Sequence, residues 1–353
     1  MASADENRIK PVPVILACAT MPQLWPLSSA QEPFFFRSDA SGSSPVRRIL
    51  AELSTRSDMA RPILFVSDTA IEAARVQLAG LDAEICVVVV PAGESRAYLA
   101  ILAAMISEAQ TKEAPLVLIP ASFRCPDLRG FLDAISGAVP KSAASSTPLA
   151  CIRPVRHEAE LSPLDLALEI SGREMISGLP YAHLLSANPR ENINSALIEM
   201  SALVKSAGVF VTSADFVLSV AERVHPAMIH ACKEALHGAE CHGNWIRAQQ
   251  AQLSLVSGMS LTGLWTASQS KLLAFQVAEG CQLVRSLADI PGCAESLLIT
   301  PDHVGAPLVI EGYDDCRLYS SSDGILIIKR NQERGAKHHA ERPHETSPAA
   351  YVA

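Results

Sequence analysis

The segment PVPVILACATMPQLWPLSS, Pro11 to Ser29, places an apolar strand directly before a tight turn. That arrangement suits a loop that cradles phosphate with backbone N–H groups, which needs glycine for close approach and positive φ. No glycine lies between Ala17 and Ser29, and Pro22 falls inside the stretch and lacks an N–H. A G-x-G-x-x-G dinucleotide fingerprint is absent after this strand, and no G-x-S-x-G elbow supports a serine hydrolase.

A second set of reactive side chains lies at His225, His230, Cys232, His237, Cys241 and His242. Structural zinc sites bring closely spaced ligand pairs from two places. This set reads instead as a polar helix face and its end. His338, His339 and His344 read as a solvated tail. The nine cysteines are odd in number and form no C-x-x-C pair, and several sit in apolar runs, as Cys86 does in EICVVVVP. Free buried thiols in a reducing cytosol are expected.

The elements that would position these residues alternate. VPVILA (12–17), PILFVS (62–67), EICVVVVP (84–91) and APLVLIPA (114–121) read as strands, and the last three are followed by segments of helical spacing. Continuous apolar strands between helices predict an α/β fold: a doubly wound, mainly parallel sheet covered on both faces. PKSAASSTP (140–148) reads as a surface loop. LDLALEIS and AGVFVTS read as further strands, and 213–238 as two consecutive helices with Pro226 opening the second. The expected organisation is one domain over 1–293, a small β segment over 294–330, and a disordered tail over 331–353.

Composition narrows the function. Of 353 residues, 49% are hydrophobic and 19% charged, enough to bury a sizeable core, and the net charge of −8 argues against a nucleic-acid binder. No apolar run is long enough to span a bilayer. ILAC before Ala19 faintly matches a lipoprotein cleavage box. However, Pro11, Pro13, Asp5 and Glu6 favour a first strand in a cytoplasmic protein.

The stretch PVILACATMPQLWPLS resembles the first strand and signature loop of sugar nucleotidyltransferases, above all mannose-1-phosphate guanylyltransferases, with P-V-I-L-A-G-G-S-G-T-R-L-W-P-L-S-R. Val14 to Ala17 and Leu24 to Ser28 match without a gap, while G-G-S-G-T-R falls on Cys18, Ala19, Thr20, Met21, Pro22 and Gln23. P-K-Q-F falls on Pro33 to Phe36, and G-R-N-T-A-P on Gly93 to Tyr98. L-P-A-D-H falls on Ile119 to Phe123, V-E-K-P on Ser186 to Pro189, and W-N-S/A-G-M-F on Lys205 to Phe210. S-I-D-Y falls on Ser254 to Ser257, and G-W-S-D-V-G on Ser286 to Pro291.

The resemblance implies a Rossmann-like nucleotidyltransferase fold. The implied reaction has a sugar 1-phosphate attack the α-phosphorus of a nucleoside triphosphate and release pyrophosphate. That chemistry depends on positioning and on neutralising phosphate charge. It also implies what this chain has lost. The loop arginine is Gln23, the second-motif lysine is Phe34, the first metal aspartate is Ser122, and the sugar-phosphate lysine is Asn188. Leu16, Ala17, Cys18, Ala19 and Gly93 remain as a nucleotide-binding remnant. Arg96 and Lys205 are the nearest substitute cations, and Asp289 stands at the second metal position.

The expected function is therefore a mannose-1-phosphate guanylyltransferase-like protein without catalysis. It would act as a non-catalytic partner or regulator in nucleotide-sugar and polysaccharide metabolism, beside an active paralogue or a pathway protein. The alternatives are an active enzyme with an altered loop, requiring Mg²⁺, and a sensor of a nucleotide or sugar; a nucleotide or nucleotide-sugar is a possible partner. No cofactor is expected in the inactive case.

Overall fold

The computed structural model describes residues 10–39, 42–81, 84–93, 96–110, 114–157, 161, 166–176, 178–185, 198, 202–249, 261–267, 271–290, 316–321, 324–329 and 350–352. The motif positions Ser186 to Pro189, Ser254 to Ser257, Glu94, Ser95 and Pro291 lie outside them, as do Cys293 and the tail histidines.

Strand β1 (Val12–Ala17) is buried on both faces, because its side chains alternate between two apolar layers. Val12, Val14 and Leu16 enter one layer, and Ile15 and Ala17 the other. Helix α1 (Pro45–Ser54) starts where Ser44 accepts the N–H of Arg47 and Pro45 sets the first turn; it buries Val46, Ile49, Leu50 and Leu53 along one stripe. Strand β2 (Ile63–Ser67), helix α2 (Ile71–Leu78), strand β3 (Cys86–Val90), helix α3 (Arg96–Gln110) and strand β4 (Pro115–Pro120) follow.

Next come the short strand β5 (Phe123–Arg124), helix α4 (Leu128–Ser145), and strands β6 (Leu149–Pro154), β7 (Ala167–Ile176), β8 (Leu179–Leu184) and β9 (Leu203–Ser213). Helices α5 (Ala214–Val224) and α6 (Pro226–His237) precede strands β10 (Glu240–His242) and β11 (Trp245–Arg247). The order ends with helix α7 (Leu261–Ala267) and strands β12 (Leu272–Gln276), β13 (Gln282–Leu283), β14 (Cys316–Ser321), β15 (Gly324–Lys329) and β16 (Ala350–Val352).

Eleven strands form one sheet in the order β10-β11-β3-β2-β1-β4-β9-β6-β12-β8-β7. Helices cover both faces, with α1, α2 and α4 on one side and α3, α5, α6 and α7 on the other. Helix α3 is apolar nearly all round, from Ala97 to Ala104, because it lies between the sheet and the helices packed on it.

The mainly parallel expectation is corrected: the sheet is mixed. The run β11-β3-β2-β1-β4 is parallel, and so is β6 with β12. Strand β9 runs antiparallel to both β4 and β6, and β8 antiparallel to β12 and β7. Burial on both faces produced the expectation, but helices bury antiparallel strands equally well. An apolar run therefore carries no information on direction.

Two further expectations are corrected. Residues 140–145 are helix rather than loop, since α4 continues through Pro140. An internal proline costs about 3 kcal/mol, but Ala138, Val139 and Ser142 are buried on either side of it. The Ser142 hydroxyl donates to the Thr147 carbonyl at 2.6 Å, and Ser146 closes the helix at φ 50°. Among the thiols, Cys18, Cys86, Cys151 and Cys232 are free and buried and Cys241 is free and exposed, but Cys125 and Cys281 form a disulfide. The pairing of β5 with β13 matches Arg124 to Gln282, which places these two cysteines opposite each other across the ladder.

Strands β14, β15 and β16 make a separate three-stranded sheet. Its hairpin falls in the segment expected to be β, and β16 falls within 331–353. The rest of that tail lies outside the described residues.

Candidate functional site

In an open α/β sheet, ligands bind outside the carboxyl ends of the strands where the order switches, here between β1 and β4. The chain leaves β1 at Cys18 and β4 at Ala121, whose N–H donates to the Leu16 carbonyl at 3.0 Å. Gly93, at φ +81°, donates its N–H to the Cys18 carbonyl at 3.1 Å. The remnant residues Leu16, Ala17, Cys18, Ala19 and Gly93 thus meet at this crevice.

The loop after β1 does not form a phosphate nest. Among the described residues from Cys18 to Ser29 none has positive φ. The segment turns instead into a short 3-10 helix, Pro22–Leu24. Its amides bond inward, with Leu24 N–H to Met21, Trp25 N–H to Pro22 and Leu27 N–H to Leu24. Met21, Leu24 and Leu27 are buried with Ile15 and Phe35. Thr20 therefore never meets the left-handed region. Gln23 is half-buried, and Phe34 is half-buried with its N–H donating to the Ser28 hydroxyl at 3.0 Å.

What remains of the crevice is a cavity of about 20 Å³ lined by Leu16, Cys18, Phe35, Arg96, Leu99 and Ser122, among others. Small-molecule pockets run to roughly 300–1,000 Å³; this one has room for about one water. Phe35, 1% exposed, fills space beside the loop, and its ring meets Phe36 edge-on at 5.1 Å. Sequence reasoning set Phe35 in the P-K-Q-F motif and did not foresee that its ring fills the crevice. Its spacing from the first strand was the available signal.

Arg96, the first residue of α3, points into this cavity. The residue is half-buried; desolvation, and then the Arg285 charge, push its pKa down to about 10. Lys205 does not join it. It sits on β9 opposite Arg153 of β6 and Ala167 of β7, and does not line the cavity. Asn188 lies outside the described residues.

The segment Val277–Ile290 passes the end of β4 and the middle of β9; of it, only the motif from Ser286 with Asp289 was expected at the site. Val284 N–H donates to the Ser122 carbonyl at 2.9 Å, and Gln282 accepts from Arg153 at 2.8 Å. Gly208 allows the close approach: at φ +90° it has no Cβ, and one there would lie 2.5 Å from Leu283. The segment ends in Asp289, whose Oδ2 accepts from Arg285 N–H, Ser286 N–H and the Ser286 hydroxyl at 2.8–3.0 Å.

These residues do not fit a Mg²⁺ centre, which wants one or two carboxylates with phosphate and water. Ser122 supplies no carboxylate, and the Asp289 oxygen is engaged in capping a turn. Among the described residues no group of three or more His, Cys, Asp or Glu could hold a metal, those of 225–242 included. Nor is any described helix long and apolar enough to cross a membrane. A larger cavity of about 520 Å³ lies among α3, α5 and α6, lined by Met105, Leu218, Ile229 and Leu236 together with His237; no position of the nucleotidyltransferase-like motifs lines it.

No protein-family profile matches the chain. A Vibrio cholerae serotype O1 protein, provisionally assigned as a mannose-1-phosphate guanylyltransferase, is 21% identical, with 96% of this chain and 76% of that protein covered. A Thermus thermophilus structure described as a mannose-1-phosphate geranyltransferase superposes with a TM-score of 0.59 at 17% identity, covering 78% of this chain and 75% of that one. A Helicobacter pylori structure described as a mannose-6-phosphate isomerase gives 0.54 at 14% identity, covering 76% and 97%. The resemblance read from the motifs holds in sequence along nearly the whole chain, and the solved structures share its fold.

Proposed function

We propose that this mannose-1-phosphate guanylyltransferase-like chain does not catalyse nucleotidyl transfer, and serves as a non-catalytic partner or regulator in cytoplasmic nucleotide-sugar or polysaccharide metabolism. The observation that carries the reading is the crevice between β1 and β4. Three loop amides that could face phosphate bond to the loop's own carbonyls, and Phe35 and Leu99 close the space to about 20 Å³.

The chemistry points the same way. Removing one charge-stabilising donor from a site of this kind costs about 10²–10³ in rate. This chain carries Gln23, Phe34 and Ser122 in place of two cations and a carboxylate, with Asn188 at a fourth position. Such losses are not additive, but they leave little turnover. The fold, the Gly208 approach and the remnant strand ends are kept, which suits a surface recognised by an active paralogue.

The test is the formation of GDP-mannose from GTP and mannose 1-phosphate with Mg²⁺, run alone and with an active guanylyltransferase present. No product alone, with a changed rate or a co-eluting complex in the mixture, is expected. Turnover of about 1–10³ per second by this chain alone, abolished by Arg96→Gln or Lys205→Gln, would establish the active enzyme instead.

A further inference from the structure

Strand β10 is an outer edge of the eleven-stranded sheet, paired among the described residues with β11 alone. Glu240, Cys241 and His242 are all exposed, and the Cys241 thiol is free. An edge strand presents a row of N–H and C=O groups on which another strand can pair.

The hairpin fixes which of these groups face outward. Its loop is Gly243 and Asn244, with Gly243 at φ +61°, as a tight hairpin turn requires. His242 and Trp245 close that turn and form its hydrogen-bonded pair. Bonded and non-bonded pairs alternate along an antiparallel ladder, so Cys241 and Ile246 are a non-bonded pair. The Cys241 N–H and C=O therefore point away from β11, into the open edge. The Ala239 N–H already donates to the Leu236 carbonyl, so the open edge centres on Cys241.

Charge decides what pairs there. A second copy of the chain can lay its own β10 antiparallel to this one about a two-fold axis. With the axis at Cys241, Glu240 of each copy stands opposite His242 of the other. An axis at Glu240 would oppose two carboxylates, which destabilises, and one at His242 would oppose two imidazoles with no carboxylate to accept from them. The run Glu240-Cys241-His242 is thus self-complementary in one register, and the symmetry makes each favourable pair twice. The flank is not polar throughout. Val76, 67% exposed, follows Arg75 on α2, and the Arg75 guanidinium lies 5.5 Å over the Trp245 ring of the hairpin.

We propose that β10 is a self-association edge, on which two copies pair antiparallel about Cys241 and their sheets run on into one another. The two Cys241 residues exchange N–H···O bonds across the axis, with Cα atoms about 5.5 Å apart and both side chains on the same face of the joined sheet. The shared ladder is short, so the dimer is transient and depends on concentration. This inference is independent of turnover in the crevice, since β11, β3 and β2 separate β10 from β1.

The experiment uses the full chain in oxygen-free buffer. Sedimentation equilibrium should show a reversible monomer–dimer equilibrium. Glu240→Lys, at an exposed position, should weaken it about tenfold, because two opposite-charge pairs are lost at once. Adding His242→Glu to that variant reverses both partners and should restore dimerisation. The lysine still faces Arg247 of its own chain in the double variant, so recovery reports the contact between copies. A short bismaleimide should link two chains of the parent and leave Cys241→Ser unlinked. A chain that stays monomeric at every concentration overturns the proposal, and so does a dimer whose strength Glu240→Lys leaves unchanged.

Discussion

Asp289 is folded back onto Ser286: one carboxylate oxygen accepts both the backbone N–H and the hydroxyl of the residue three positions earlier. The same oxygen takes the Arg285 N–H. The position aligned with a metal-binding aspartate is thus used to shape the turn that carries Arg285 toward Arg96. Loss of a capping side chain costs about 0.5–2 kcal/mol. Asp289→Ala should lower stability by about that amount in a denaturant titration. Calorimetry with Mg²⁺ should give the same absence of binding for the variant as for the parent.

The bridge between Cys125 and Cys281 joins residues 156 positions apart. It ties the segment leaving β4 to the one that lies over it, beside the Gly280 turn that packs on Pro126. Closing so long a loop stabilises mainly by restricting the unfolded chain, typically by about 2–4 kcal/mol. Cys125→Ser should show a loss of that order under oxidising conditions. Under a dithiol reductant the parent should fall to the level of the variant. Thiol labelling of the native protein should then reach Cys125, which labels only after reduction, while the buried Cys281 labels only on unfolding.

Local elements were legible where one segment sufficed. The first four strands were read to within about two residues of their ends, because each is an unbroken apolar run bounded by polar or turn residues. Pro226 marked the start of α6 because proline suits the first helical turn. Features that depend on distant partners were not legible. Nothing near Asp289 says that its carboxylate turns back onto Ser286 instead of into a cleft. The β5–β13 ladder, and with it the disulfide, joins segments that no local pattern connects. The direction of β9 is set by where the chain returns. Pro140 reads as a helix breaker until the burial of Val139 and Ser142 is known. At the site, the missing loop glycines and charged groups could be read off directly. Closure by Phe35 could not, since a buried aromatic residue packs anywhere by the same rule.

Arg56 and Asp58 fasten α1 to α4. The Arg56 guanidinium donates to both oxygens of Asp58 at 2.7–2.9 Å and to Asp133 at 2.6 Å, and the Ser136 hydroxyl donates to Asp58 at 2.5 Å. The Arg56 bond, aided by Ser136, holds the Asp58 carboxyl below its ordinary value of 3.8. A lowered folded-state pKa means stability that is present above 3.8 and lost as the pH falls through the lower folded value. The Asp58 side chain is 44% exposed, so screening limits the contribution to no more than about 1 kcal/mol. Asp58→Asn should be less stable than the parent at pH 7 by up to that amount. The two should converge in urea titrations as the pH falls below the lowered folded-state value, and a difference unchanged at low pH would mean that the pair contributes through packing rather than charge.

Rebuilding single motif residues should not rebuild the site, and Ser122 shows why. Gln23 is half-buried and tolerates Gln23→Arg, but the new cation would stand beside loop amides already bonded to Met21, Pro22 and Leu24. Phe34→Lys at a half-buried position can carry its charge to solvent, so it should be mild in stability and silent in activity. Ser122→Asp is the informative change. It restores the carboxylate that the family pattern places there, but into the wall of the Arg96 cavity. A carboxylate lining the same cavity as the Arg96 guanidinium can form a charge-assisted pair with it, preferred there over a Mg²⁺ centre that needs further oxygen ligands. Ser122→Asp should therefore fold and bind no Mg²⁺ by calorimetry. Binding of Mg²⁺ by this single variant would show that the carboxylate position, rather than the closed loop, is what separates the chain from a working metal site.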